Sequence, residues 1–223
     1  MTGSTIDLAA QDGHHFNAYK AMPADNPRGV VIVGPEIFGV NSHIRSVADS
    51  YAAEGYVAIA PSLFDRAERD FEAGYGPEDI ATGREIIGRL DWSNTMKDVS
   101  ATIEHARPYG KTALVGFCWG GTIAWLANAR LSGLTCTVAY YGGGVPGFIE
   151  EKPRKPIMLH FGEEDASIPV EKAREVAQRH PQAETFFYRA GHGFNCDQRG
   201  SYDAEAAALA RKRTLEFLAR HIS

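Results

Sequence analysis

No apolar run in this sequence of 223 residues approaches the roughly 20 residues of a membrane-spanning helix, so a bilayer-embedded chain is not expected. The first residues, Met1 to Lys20, lack both the basic n-region and the apolar h-region of a secretory signal. Cysteine is scarce as well. Three are present, an odd number without small-domain spacing, so a disulfide framework is not indicated and a reducing, cytoplasmic setting is the expectation. Positive charge is in deficit, with 23 Lys and Arg against 28 Asp and Glu, a net charge of -5 and a pI near 5.9. Without a basic block there is no electrostatic footprint for nucleic acid or an anionic membrane surface, which leaves small molecules as the expected partners. Repeats and low-complexity linkers are also missing. One domain spanning residues 1–223 is therefore expected, as a monomer or weak homo-oligomer.

What the sequence does contain is an alternation of short apolar runs with segments of helical period, the pattern of a mostly parallel sheet covered by helices. Thr5 to Ala10 and Phe16 to Met22, joined through Gln11-Asp12-Gly13, read as an N-terminal antiparallel hairpin. Gly29 to Val33, Tyr56 to Ala60, Thr112 to Phe117 and Thr135 to Tyr141 are almost wholly apolar, as strands buried on both faces must be. Pro156 to Phe161 and Glu184 to Arg189 complete the set. Helices are expected at Ser42 to Glu54, Ser93 to Arg107, Trp119 to Ala129, Val170 to Arg179 and Tyr202 to Leu218. The charged, glycine-bearing stretch from Asp65 to Leu90 is the least regular. It is the place for a lid segment over a site at the carboxyl ends of the strands.

The most informative stretch is Ala113-Leu-Val-Gly-Phe-Cys118-Trp-Gly-Gly121, an apolar strand meeting a helix at a Gly-x-Cys-x-Gly-Gly turn. This is the nucleophile-elbow pattern with sulfur in place of oxygen. A sharp strand-to-helix turn strains the nucleophile's backbone, and Gly116 and Gly120 remove the β-carbons that would crowd it. The free amides and dipole at the following helix's N-terminus favour a thiolate and offer the Trp119 N–H to an oxyanion. Two blander readings compete: a small buried hydrophobe, as most cysteines in apolar runs are, or a redox-reactive thiol, for which no resolving cysteine stands at a recognisable spacing.

In such an elbow the acid and the histidine follow on loops after later strands. After Pro156 to Phe161 comes Gly162-Glu-Glu-Asp165-Ala-Ser-Ile-Pro169, with three acids to choose from. After Glu184 to Arg189 comes Ala190-Gly-His192-Gly-Phe194, where glycines on both sides of the histidine suit a loop that presents an imidazole. Other patterns carry less. Gly142-Gly-Gly144-Val-Pro-Gly147 satisfies Gly-x-Gly-x-x-Gly, but Pro146 and the polar run behind it give no dinucleotide-binding helix, so it reads as a turn. His14-His15 and the His192/Cys196 spacing find no further ligands at zinc spacing, and no metal site is expected.

The chain resembles the dienelactone hydrolase family of the α/β-hydrolase superfamily over nearly its whole length. The cysteine elbow, Gly34-Pro-Glu36-Ile-Phe-Gly-Val-Asn41, Tyr140-Tyr141-Gly142 and the Gly-x-x-Asp-x-x-x-Pro loop carry that resemblance. It implies an α/β-hydrolase fold and a hydrolase of a small ester or lactone that works through a thioester on Cys118, with no cofactor. It makes Asp165 the acid that orients His192, places Glu36 beside Cys118 to hold the thiol, and offers the Ile37 N–H as a second oxyanion donor. Phe38, Tyr141 and Phe194 match pocket positions. Family members hold a substrate carboxylate with arginines, one of them four residues after the histidine; that position is Cys196 here. Arg84 is the nearest candidate anchor, and the departure keeps open an esterase or thioesterase acting on an uncharged substrate.

Overall fold

The computed structural model describes residues 3–223. Its eight strands form one sheet in the order β1-β2-β4-β3-β5-β6-β7-β8. Strands β1 (Ser4–Ala9) and β2 (His15–Ala21) are the expected antiparallel hairpin, and β2 pairs antiparallel with β4 (Val57–Pro61). All remaining pairings are parallel, through β3 (Val30–Gly34), β5 (Thr112–Phe117), β6 (Leu134–Tyr140), β7 (Ile157–Gly162) and β8 (Glu184–Tyr188). This is the α/β-hydrolase architecture, and the sequence shows why. Val30–Gly34, Val57–Pro61 and Thr112–Phe117 have no exposed residue, so they can only lie inside a sheet with both faces covered.

Helices α3 (Trp92–Ala106), α4 (Trp119–Arg130) and α5 (Val170–Arg179) pack on one face. On the other lie α1 (Ser42–Ala53) and α6 (Ala204–Ile222), tied together where Arg211 donates to Ser50 O at 3.3 Å. Helix α4 is apolar all round and buried from Trp119 to Ala129, as befits the central crossover after β5. Asn41, Asp91 and Asp203 cap α1, α3 and α6 by accepting the amides of Ile44, Asn94 and Ala206. The last helix begins two residues later than the apolar period suggests and runs on to Ile222, because Asp203 takes the cap position.

One expectation needs correction. The stretch from Asp65 to Leu90 is not irregular throughout, since Pro77–Gly88 forms helix α2. Pro77 occupies the first turn and Asp79 closes the start by accepting the Gly76 amide at 2.9 Å. Its buried side is narrow, Gly83 and Ile86, too thin a stripe to register against the surrounding charge. Gly83 is required there, because a β-carbon would overlap the Ile37 carbonyl. The Gly142–Gly147 segment begins as the anticipated turn and runs into a short 3-10 helix, Val145–Phe148, that the sequence did not suggest.

Candidate active site

Strand order reverses at β3, which has β4 on one side and β5 on the other, and in open parallel sheets ligands sit at such a switch point beyond the strands' carboxyl ends. Pro35-Glu36-Ile37 leaves β3 there, and Cys118 leaves β5. Cys118 is held at φ 54°, ψ -111°, a strained conformation for a side-chain-bearing residue. Local glycines make it possible: a β-carbon on Gly116 would overlap the Gly120 carbonyl, and one on Gly120 would overlap the Gly34 carbonyl. The thiol is thereby lifted off the sheet at the N-terminus of α4.

The loops after β7 and β8 bring two partners to it. His192 Nε2 lies 3.1 Å from Cys118 Sγ, and His192 Nδ1 lies 2.8 Å from Asp165 Oδ2. Asp165 is buried, and its Oδ1 accepts the amides of Ser167 at 2.7 Å and Ile168 at 3.0 Å, which fixes the carboxylate plane. The His192 carbonyl accepts from Ser201 Oγ at 2.6 Å. Burial alone would depress the imidazole pKa. The Asp165 and Cys118 hydrogen bonds and charges outweigh it and push His192 up to about 10, so the surroundings favour an imidazolium next to sulfur.

Two residues with unpaired backbone amides line the same space. Trp119 opens α4, so its N–H has no helical partner, and the Ile37 N–H takes none from backbone or side chains among the described residues. Both residues line, with Cys118 and His192, a cavity of about 330 Å³. Phe38 and Arg84 also line it. Arg84 forms no ion pair among the described residues. Tyr141 and Phe194 lie behind the cavity instead: both are fully buried, and their rings pack on each other at 5.3 Å within an aromatic cluster that also supports His192. The Tyr141 hydroxyl is buried without a hydrogen-bond partner; burial first, then the nearby Glu36 charge, raises its pKa well above the ordinary value, so it stays a neutral phenol.

Glu36 and the thiol have separate partners. Cys118 bonds to His192, whereas Glu36, 1% exposed, accepts from Arg199 Nη1 at 3.0 Å through Oε1, and its Oε2 has no partner. Arg199 lines the cavity with its guanidinium 5.7 Å from the Phe38 ring centre. Burial works against the Arg199 charge, but Glu36, Cys118 and Tyr141 together outweigh it and raise its pKa. Sequence reasoning missed this residue. It is the first cation after His192, and the Cys196–Arg199 turn, closed by Arg199 N donating to Cys196 O at 3.1 Å, carries it back over the site. Gly193, at φ +80°, leaves room for that guanidinium. Trp92, Ile80 and Ile87 were also missed as lining residues.

Among the described residues, one group of three potential metal ligands occurs: His43, Cys196 and Asp197, with ligand atoms within 4.8 Å of one another. His43 Nδ1 is bonded to the exposed Asp197 at 3.1 Å, and His192 is not in the group.

A family profile described as the dienelactone hydrolase family matches residues 16–222. A Synechocystis sp. protein named as a candidate carboxymethylenebutenolidase is 41% identical over 201 residues, 81% of each chain. The carboxymethylenebutenolidase of Pseudomonas putida is 33% identical over 239 aligned positions, covering 98% of this chain and 97% of that one. The crystal structure of a candidate dienelactone hydrolase from Klebsiella pneumoniae superposes with a TM-score of 0.85 at 31% identity, covering 98% of this chain and 99% of the other. No helix among the described residues is long and apolar enough to cross a membrane.

Proposed function

This chain belongs to the dienelactone hydrolase family and is a hydrolase of carboxylic esters, and from that premise we propose that it cleaves a small ester or lactone through a thioester on Cys118. The observation that carries this reading is the unbroken line from Cys118 Sγ through His192 to Asp165, at 3.1 and 2.8 Å. The His192 imidazolium holds the proton of the Cys118 thiol, the thiolate attacks the carbonyl carbon, and the oxyanion is stabilised by the Ile37 and Trp119 amides. Each such donor is worth about 3 kcal/mol of transition-state energy. Collapse breaks the carbon–oxygen bond, and the leaving alkoxide takes the proton back from His192 to depart as an alcohol, or as an enol that becomes a ketone. His192 then removes a proton from water, whose oxygen attacks the thioester; the acid leaves and the thiol is restored. Asp165 holds the imidazole in the tautomer that both steps need. No cofactor enters the scheme.

The charge of the substrate turns on Arg199. A substrate carboxylate could take the Arg199 guanidinium from Glu36, so that Arg199 serves the role that the family gives to an arginine at the position of Cys196. The alternative, an esterase for uncharged substrates, is favoured by the Glu36–Arg199 pair itself, which leaves no net charge at that end of the cavity. Steady-state hydrolysis of an anionic dienelactone beside a p-nitrophenyl acyl ester, each with wild type and Cys118→Ala, tests both. Cys118-dependent turnover that prefers the dienelactone supports the anionic reading, and turnover of the neutral ester alone supports the other. Turnover that persists undiminished in Cys118→Ala refutes the cysteine mechanism.

A further inference from the structure

Ile87, Leu90 and Trp92 are apolar side chains left half-covered, and they gather around one cleft. Large exposed hydrophobics elsewhere, Met22, Tyr202 and Leu209, are scattered singly. The cleft lies between α2 and α3 and forms a second cavity of about 260 Å³. It shares Arg84, Ile87, Trp92 and Trp119 with the cavity that holds Cys118, so the two adjoin along these side chains. Its floor is aromatic: the Trp92 and Trp119 rings lie 6.1 Å apart, with Phe148 edge-on to Trp92 at 5.6 Å and Phe64 edge-on to Trp119 at 5.1 Å. A pocket of roughly 300 Å³ already admits a drug-sized ligand, so a bare lactone would fill neither lobe and would leave the second to water.

We infer that the α2–α3 cleft is a substrate subsite that takes an aryl or medium-chain alkyl substituent of the ester whose carbonyl lies at Cys118. This rests on the ester-hydrolase reading above and adds the class of substrate: esters with an apolar group too long for the cysteine lobe alone. Contact with Trp92, Ile87 and Leu90 takes apolar surface of the substituent out of water. Each buried methylene is worth up to about fourfold in kcat/KM.

Gly88 gives a clean perturbation. It lines the second lobe at the end of α2, a β-carbon there meets no atom within 4 Å, and its backbone is not in the left-handed region. Gly88→Phe adds a ring at a position that lines this lobe and not the Cys118 cavity, and Gly88→Ala controls for the change in helix propensity. The assay is pH-stat hydrolysis of ethyl acetate, ethyl hexanoate and ethyl 4-phenylbutanoate by wild type, Gly88→Ala, Gly88→Phe and Cys118→Ala. In wild type, kcat/KM is expected to rise about tenfold or more from acetate to the two longer esters, mostly through KM. Gly88→Phe should abolish that rise while leaving the acetate value within about twofold, and Gly88→Ala should keep it. A flat chain-length profile in wild type, or a rise that survives Gly88→Phe, overturns the subsite. Failure of the cysteine mechanism appears separately, as turnover retained by Cys118→Ala. Quenching of tryptophan fluorescence by 4-phenylbutanoate supplies a readout independent of turnover: saturable quenching lost in Gly88→Phe supports the subsite, and quenching unchanged in that variant, or none in wild type, overturns it.

Discussion

Replacing Arg199 with methionine isolates the buried ion pair beside the thiol. Methionine keeps most of the side-chain volume against Phe38 but leaves Glu36, 1% exposed, with neither carboxylate oxygen bonded by a side chain. Breaking a buried pair from one side costs about 3 to 5 kcal/mol, because the remaining charge is desolvated and uncompensated. Arg199 keeps 17% of its side chain exposed, so water reaches the variant site and the lower end of that range applies. For a chain of this length 1 kcal/mol moves Tm by roughly 2 to 4 °C, so a fall of about 6 to 12 °C is expected by calorimetry. Adding Glu36→Gln to the methionine variant should recover more than half of the loss, since the buried charge is then gone. The full cycle, measured by urea denaturation, should give a coupling energy above about 1.5 kcal/mol. A single-variant loss below 1 kcal/mol, or additive single and double variants, would refute the reading of Glu36 and Arg199 as a coupled buried pair.

Two further outcomes follow from the site's geometry. His192 is raised from 6.5 to about 10 in the fold, so the stability it contributes is complete below about pH 6.5 and is lost as pH rises through 10. The unfolding free-energy difference between wild type and His192→Gln should therefore shrink from pH 6.5 to 10 by an amount on the order of a few kcal/mol, and a difference constant with pH would count against the imidazolium reading. Gly120→Ala should yield little soluble protein, or lose at least about 3 kcal/mol by denaturant titration, because its β-carbon would overlap the Gly34 carbonyl. A stability within 0.5 kcal/mol of wild type would show that the β3–α4 approach is looser than described.

Much of this architecture was legible because the signals are local. The strands next to the switch point are buried on both faces and therefore almost purely apolar, and the Cys118 turn declares itself through glycines that stand two residues to either side. The residues alone left the acid as one of three, and the family resemblance singled out Asp165; the structure turns its carboxylate to His192 while the amides of Ser167 and Ile168 hold the other oxygen. Arg199 was not legible, since its partner Glu36 is 163 residues away and a four-residue offset from the histidine pointed to Cys196 instead. Helix α2 was hidden because one glycine in its buried stripe answers to a neighbouring carbonyl, which no helical period records. Tyr141 and Phe194 show the opposite failure: aromatic residues near a catalytic motif suggest a pocket wall, yet here they are the wall's backing.

The contact between Gly83 and the Ile37 carbonyl reaches beyond packing. Helix α2 bears directly on the residue proposed as an oxyanion donor, so the segment proposed to border the substrate and the turn proposed to stabilise charge are mechanically one part. Exchanging residues 65–90 between relatives to alter specificity would therefore also shift the proposed oxyanion donor, unless residues 36–38 and a glycine at position 83 travel with the graft.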